Sequence, residues 1–104
     1  MDLATLQAQI TATFGARDRA RGVDGTFRRL VEEIGEVAKD LRGGDRAALA
    51  LELSDVLAWT LSLAVLCGVD LDRAAARYAD GCPRCGASPC RCSMDRPATP
   101  ADGS

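Results

Sequence analysis

Residues 26–67, TFRRLVEEIGEVAKDLRGGDRAALALELSDVLAWTLSLAVLC, decide the fold. Phe27, Leu30, Val31, Ile34, Ala38 and Leu41 recur at helical spacing and form one apolar stripe, with Thr26 placed to cap its start. Gly43-Gly44-Asp45 reads as a tight turn that ends this helix and starts the next, with Asp45 as N-cap. From about Arg46 to Cys67 the pattern changes. Leu49, Leu51, Leu53, Val56, Leu57, Trp59, Leu61, Leu63, Val65 and Leu66 leave almost no polar face. A helix that is apolar all round belongs inside, so this one is expected to be central and Cys67 a plain core residue.

Working outward, Leu3, Leu6, Ile10 and Phe14 mark an earlier helix with Gly15 as its stop, and the charged segment 16–25 reads as a loop. On the other side Gly68 closes the apolar helix. Asp70 or Asp72 can then cap a short helix ending near Ala79 or Asp80. No segment alternates with period two for long enough to suggest a sheet. The expectation is an all-α chain, an antiparallel bundle of about four helices, whose small core needs help from a partner subunit or a metal. Residues 1–80 form the helical domain in this reading, 81–92 a Cys-rich element and 93–104 a polar tail expected to be disordered.

Composition narrows the chemistry. The chain has 104 residues and a formal charge of −2 with both signs interspersed, which gives no electrostatic case for nucleic-acid binding. It has no histidine, so Ser-His-Asp triads, HExxH zinc sites and imidazole acid–base catalysis are excluded. The first ten residues lack the basic start and apolar core of a signal peptide, and the uncharged run from Val56 to Val69 is short for a bilayer. A soluble, cytoplasmic protein with reduced cysteines and no membrane partner is expected.

The carboxylates carry the functional signal. Glu32, Glu33 and Glu36 lie on the first helix of the decisive stretch, with Glu33 at the border of the apolar stripe. Glu52 and Asp55, three apart, interrupt the apolar helix. A charge in such surroundings costs several kcal/mol unless something compensates it. Two antiparallel helices joined by the Gly-Gly turn place Glu33 and Glu36 opposite Glu52 and Asp55. A hard divalent cation with all-oxygen ligands, Mg²⁺ above all, relieves the repulsion and leaves room for a polyphosphate. A di-iron bundle would need Glu-x-x-His motifs, which a chain without histidine cannot supply.

Glu32-Glu33-Ile34-Gly35-Glu36 followed by Glu52-Leu53-Ser54-Asp55 resembles the EExxE…ExxD signature of the MazG-like all-α nucleotide pyrophosphohydrolases. The likeness extends over about residues 14–92 and includes Arg17-Asp18-Arg19, Gly25-Thr26-Phe27, Leu57-Ala58-Trp59 and Gly68-Val69-Asp70-Leu71. It implies a homodimer or homotetramer with Mg²⁺, or Mn²⁺, held by Glu33, Glu36, Glu52 and Asp55. Glu32 is then a further ligand or orients the water. The implied reaction is attack of water on the α-phosphorus of a nucleoside triphosphate, giving the monophosphate and pyrophosphate, with nucleotide-pool cleansing as the suggested role. Lys39, Arg73 and Arg77 are candidate phosphate contacts and Tyr78 a candidate contact to base or sugar, each of which serves equally well as a surface residue. Trp59 is expected in the core or the dimer interface. The competing reading is a non-catalytic helical dimerisation module whose zinc-stapled C-terminal tail binds a partner.

Cys82-Pro-Arg-Cys85-Gly has the form of half a zinc knuckle, and Cys90-Arg-Cys92 can complete four thiolates. Structural Zn²⁺ is one reading. Reactive or disulfide-forming thiols are the other.

Overall fold

The computed structural model describes residues 1–93; the tail expectation therefore lies, from residue 94 onward, outside the described residues. The described residues form α-helices, one 3₁₀ turn and no strand, in keeping with the all-α expectation. They divide into two compact units, the first Met1–Leu71 and the second starting at Asp72.

In the first unit, α1 (Leu3–Gly43) packs against α2 (Arg46–Leu66). Asp2 caps α1 by accepting the Thr5 amide at 2.7 Å, a bond that lowers the Asp2 pKa. Gly44 ends the helix in the left-handed conformation, its N–H donating to the Asp40 carbonyl. Asp45 caps α2 as expected, accepting the Ala48 amide at 3.1 Å. The end of α2 is a Schellman closure: Gly68 N–H donates to Val65 O and Val69 N–H to Ala64 O. Gln7 then ties the outgoing chain to α1, donating to Val69 O at 2.9 Å and accepting the Leu71 amide at 3.1 Å.

The loop expected over 16–25 is helical instead, because Ala16, Arg17, Arg19, Ala20 and Arg21 are good helix formers. Gly15 is a buried helical residue and no stop, and Thr26 is a buried residue inside the helix and no cap. The break sits at one residue, Gly22 (φ 86°, ψ 173°), which divides α1 into helical stretches 3–21 and 23–43. That backbone region is essentially closed to residues with a Cβ. Across the break runs a polar tie: Arg21 Nη1 donates to Asp18 Oδ1 at 2.8 Å and to Thr26 Oγ1 at 3.2 Å. Asp18 is 2% exposed, so its charge is compensated inside the fold.

Among the described residues, the buried apolar side chains are those of Ile10, Leu61 and Ala64. α2 is thus not enclosed by its own chain: Leu51, Leu53 and Leu57 are exposed, as are Phe27, Val31, Ile34 and Leu41 of the α1 stripe. Cys67 is exposed too, at the end of α2. The whole of α2 is long and apolar enough, by length and composition, to cross a membrane, which the shorter run from Val56 to Val69 did not suggest.

In the second unit, α3 (Leu71–Ala75), whose first residue belongs to the preceding unit, runs into a 3₁₀ turn (Ala76–Tyr78), a shorter helix than expected. Residues 79–93 have neither helix nor strand.

Candidate active site

The Gly43-Gly44-Asp45 turn folds α2 back along α1 and sets Glu33 opposite Glu52 and Asp55. One oxygen from each of these three carboxylates lies within 4.8 Å of the other two. Glu33 and Glu52 are half-buried and Asp55 is exposed. Oxygen Oε2 of Glu52 is buried with no hydrogen-bond partner, a state that costs free energy unless something unseen pairs with it.

Electrostatics agree. The adjoining Glu33 carboxyl, desolvation, and the charges of Glu33, Asp55 and Asp40 push Glu52 up to about 7. The group is short of positive charge. Its hard oxygen donors and its orphaned oxygen fit a small, hard divalent cation.

The other predicted carboxylates stand apart from this trio. Glu36, one turn beyond Glu33, is exposed and outside the group. Glu32 is exposed and accepts from Arg29 Nη1 at 3.4 Å. Lys39 is exposed on α1. Arg73, Arg77 and Tyr78 belong to the second unit, where the Arg77 guanidinium lies 5.3 Å from the Tyr78 ring centre.

Beside Asp55 the structure adds what the sequence reading missed. A cavity of about 300 Å³ is lined by Arg17, Arg21, Arg29, Asp55 and Trp59, with Asp18 and Phe14 nearby in its wall. Trp59 is half-buried and lines this cavity instead of a closed core. The Arg21 and Arg29 guanidiniums lie over its indole at 4.7 and 5.3 Å. Gly25 lets the stem of Arg21 pass, since a Cβ there would sit 2.7 Å from Arg21 Cγ. The signal in the sequence was the arginine spacing 17, 21, masked by the loop reading of 16–25.

A tight helical hairpin with EExxE on one arm, ExxD on the other and a cationic cavity beside them defines a comparison, and the profile of the MazG nucleotide pyrophosphohydrolase domain matches residues 21–83. The chain belongs to the MazG family. The MazG match begins at Arg21, beside the break in α1, takes in all five carboxylates and stops at Pro83, inside the cysteine cluster. The chain is also 44% identical over 72 residues to the dATP/dGTP diphosphohydrolase of Cyanophage S-2L. That stretch covers 69% of this chain and 65% of the phage protein, so the chain spans just under two thirds of that relative's length.

Proposed function

We propose that this chain is a magnesium-dependent nucleoside triphosphate pyrophosphohydrolase that releases pyrophosphate and leaves the nucleoside monophosphate. The observation that carries this reading is the Glu33–Glu52–Asp55 trio with its unpartnered Glu52 oxygen, bordering a cavity walled by arginines and Trp59. Glu33, Glu52 and Asp55 hold Mg²⁺, with Mn²⁺ as a substitute. Bound there, the ion neutralises polyphosphate charge and acidifies water. Arg17 and Arg29 supply the remaining positive charge to the phosphates. Arg21 is committed to Asp18 and Thr26 and holds the cavity wall in shape. Glu36 either completes the metal shell or accepts the proton of the attacking water. Glu36→Gln separates these roles, because lost metal affinity marks the first and kept affinity with lost turnover the second.

Two copies complete the fold in this reading. Phe27 is 54% exposed, Leu51 68% and Leu53 51%, large apolar side chains on both helices that water tolerates poorly. Glu52 and Asp55 break α2 midway and face Glu33, which favours cover by protein over lipid. A homodimer, or a pair of dimers, buries these faces.

The phage relative is named for dATP and dGTP, so purine deoxynucleoside triphosphates are the first substrates to try. The test is pyrophosphate release from a panel of ribo- and deoxynucleoside triphosphates with Mg²⁺ or Mn²⁺. Release that needs metal and falls about a hundredfold or more in Glu52→Gln supports the reading. No turnover in a folded, metal-loaded sample leaves the non-catalytic partner-binding module.

A further inference from the structure

The second unit holds a cluster that the nucleotide reading does not use. Cys82, Cys85, Cys90 and Cys92 each place Sγ within 4.8 Å of the other three. Two pairs are closer, Cys82–Cys92 at 3.7 Å and Cys85–Cys90 at 3.9 Å. A disulfide would bring sulfurs to about 2.0 Å, so neither pair is bonded. A tetrahedral zinc site with Zn–S near 2.3 Å has S···S edges of about 3.8 Å. The two short separations match those edges.

The backbone treats three of these sulfurs as anions. The amide of Arg84 donates to Cys82 Sγ at 3.4 Å, that of Arg91 to Cys85 Sγ at 3.3 Å, and that of Cys92 to Cys90 Sγ at 3.3 Å. Such donors orient ligating sulfurs and spread their charge. The loop that aims them is closed by Gly86 N–H to Cys82 O at 2.7 Å and Cys82 N–H to Ala87 O at 3.0 Å. Gly86 takes φ 76°, which suits the residue after the Cys-x-x-Cys turn. Residues 79–93 carry no helix, no strand and no buried side chain. Four thiols held this close without a hydrophobic core need another source of cohesion, and a structural metal is the usual one in so short a segment.

We propose that Cys82, Cys85, Cys90 and Cys92 bind one zinc ion as a closed tetrathiolate knuckle. Four sulfur ligands leave no open position, so the site is structural and takes no part in hydrolysis. Arg84 and Arg91, next to the ligands in sequence, offset the net negative charge of four thiolates on a divalent ion. The MazG match ends at Pro83, so three of the four ligands lie beyond the matched residues.

The test reads metal and thiols, and so stands apart from the nucleotide assay. The full chain, purified without chelator, is analysed for zinc and then titrated with an organomercurial while zinc release is followed. About one zinc per chain, released as four thiols react, is expected. Cobalt substituted into the wild-type chain is expected to show the intense visible bands of a tetrahedral tetrathiolate site, a readout that needs no folded variant. Cys85→Ser and Cys90→Ser each lose most of the zinc. A metal-free protein with freely titrating thiols, iron in place of zinc, or Cys82–Cys92 and Cys85–Cys90 disulfides by mass spectrometry would each overturn the proposal.

Discussion

Glu33 of α1 and Glu52 of α2 approach across the helical hairpin with carboxylate oxygens no more than 4.8 Å apart, and Glu52 Oε2 is buried without a hydrogen-bond partner. Like charges this close are tolerated when a proton or a cation sits among them. Which of the two is present depends on pH and metal, and that choice is measurable.

In chelator, the folded chain holds the Glu52 proton more tightly than the unfolded chain does, its pKa pushed up to about 7 from an ordinary 4.5. The unfolded state therefore gains as the carboxyl ionises, and stability falls as pH rises through that window and levels off above it. Melting temperatures of wild type and Glu52→Gln, compared from pH 4 to 8 in EDTA, are expected to diverge in that sense. Parallel curves would show that Glu52 titrates normally.

Magnesium should reverse the effect. A ligand that binds only the folded chain adds about 2.7 kcal/mol at a hundred times its dissociation constant. The gain in melting temperature at pH 8 is expected in wild type and largely absent from Glu33→Gln and Asp55→Asn. An equal gain in all three proteins would place the ion elsewhere.

Gly22 has the backbone geometry that only glycine adopts cheaply, with open space around a would-be Cβ. Gly22→Ala should cost about 1–3 kcal/mol from conformation alone, read by urea unfolding. A neutral result would mean that α1 runs straight through this position.

The Asp18–Arg21 pair that anchors the tie across that break is testable by a double-mutant cycle. Arg21→Ala strands the buried Asp18 charge and is expected to cost about 3 kcal/mol, while Asp18→Ala/Arg21→Ala costs less than the sum of its singles. Strict additivity would remove the pair from the account.

Ile34→Glu and Leu53→Glu alter side chains that one copy leaves 52% and 51% exposed. On a free surface such changes stay within about 0.5 kcal/mol. Light scattering is expected to show a dimer or tetramer in wild type and smaller, less stable species in both variants. Unchanged mass and stability would leave these faces without a partner.

The hairpin and its acids are legible in the sequence because two local rules fix them. Gly43-Gly44-Asp45 ends one helix and caps the next, and three-residue spacing puts Glu52 and Asp55 on one side of α2. The region around Gly22 is not legible in that way. A hydrophobic pattern assigns Asp18 to solvent, whereas the fold buries it because Arg21 satisfies it, itself held by Thr26 from the far side of a one-residue break. The cavity at Trp59 is hidden for the same reason, since the two arginines over its ring read as loop and surface charge. The all-round apolarity of α2 says that its faces need cover. It does not say that the same chain supplies it, and here Leu51 and Leu53 stay exposed.

Hydrolysis of dATP or dGTP in ¹⁸O-labelled water, with Mg²⁺ present, tests the central claim most directly. Attack at the α-phosphorus puts the label in the nucleoside monophosphate and leaves pyrophosphate unlabelled, and this is the predicted result. Label in pyrophosphate, or release of orthophosphate as the first product, would contradict it by showing that another bond is cut.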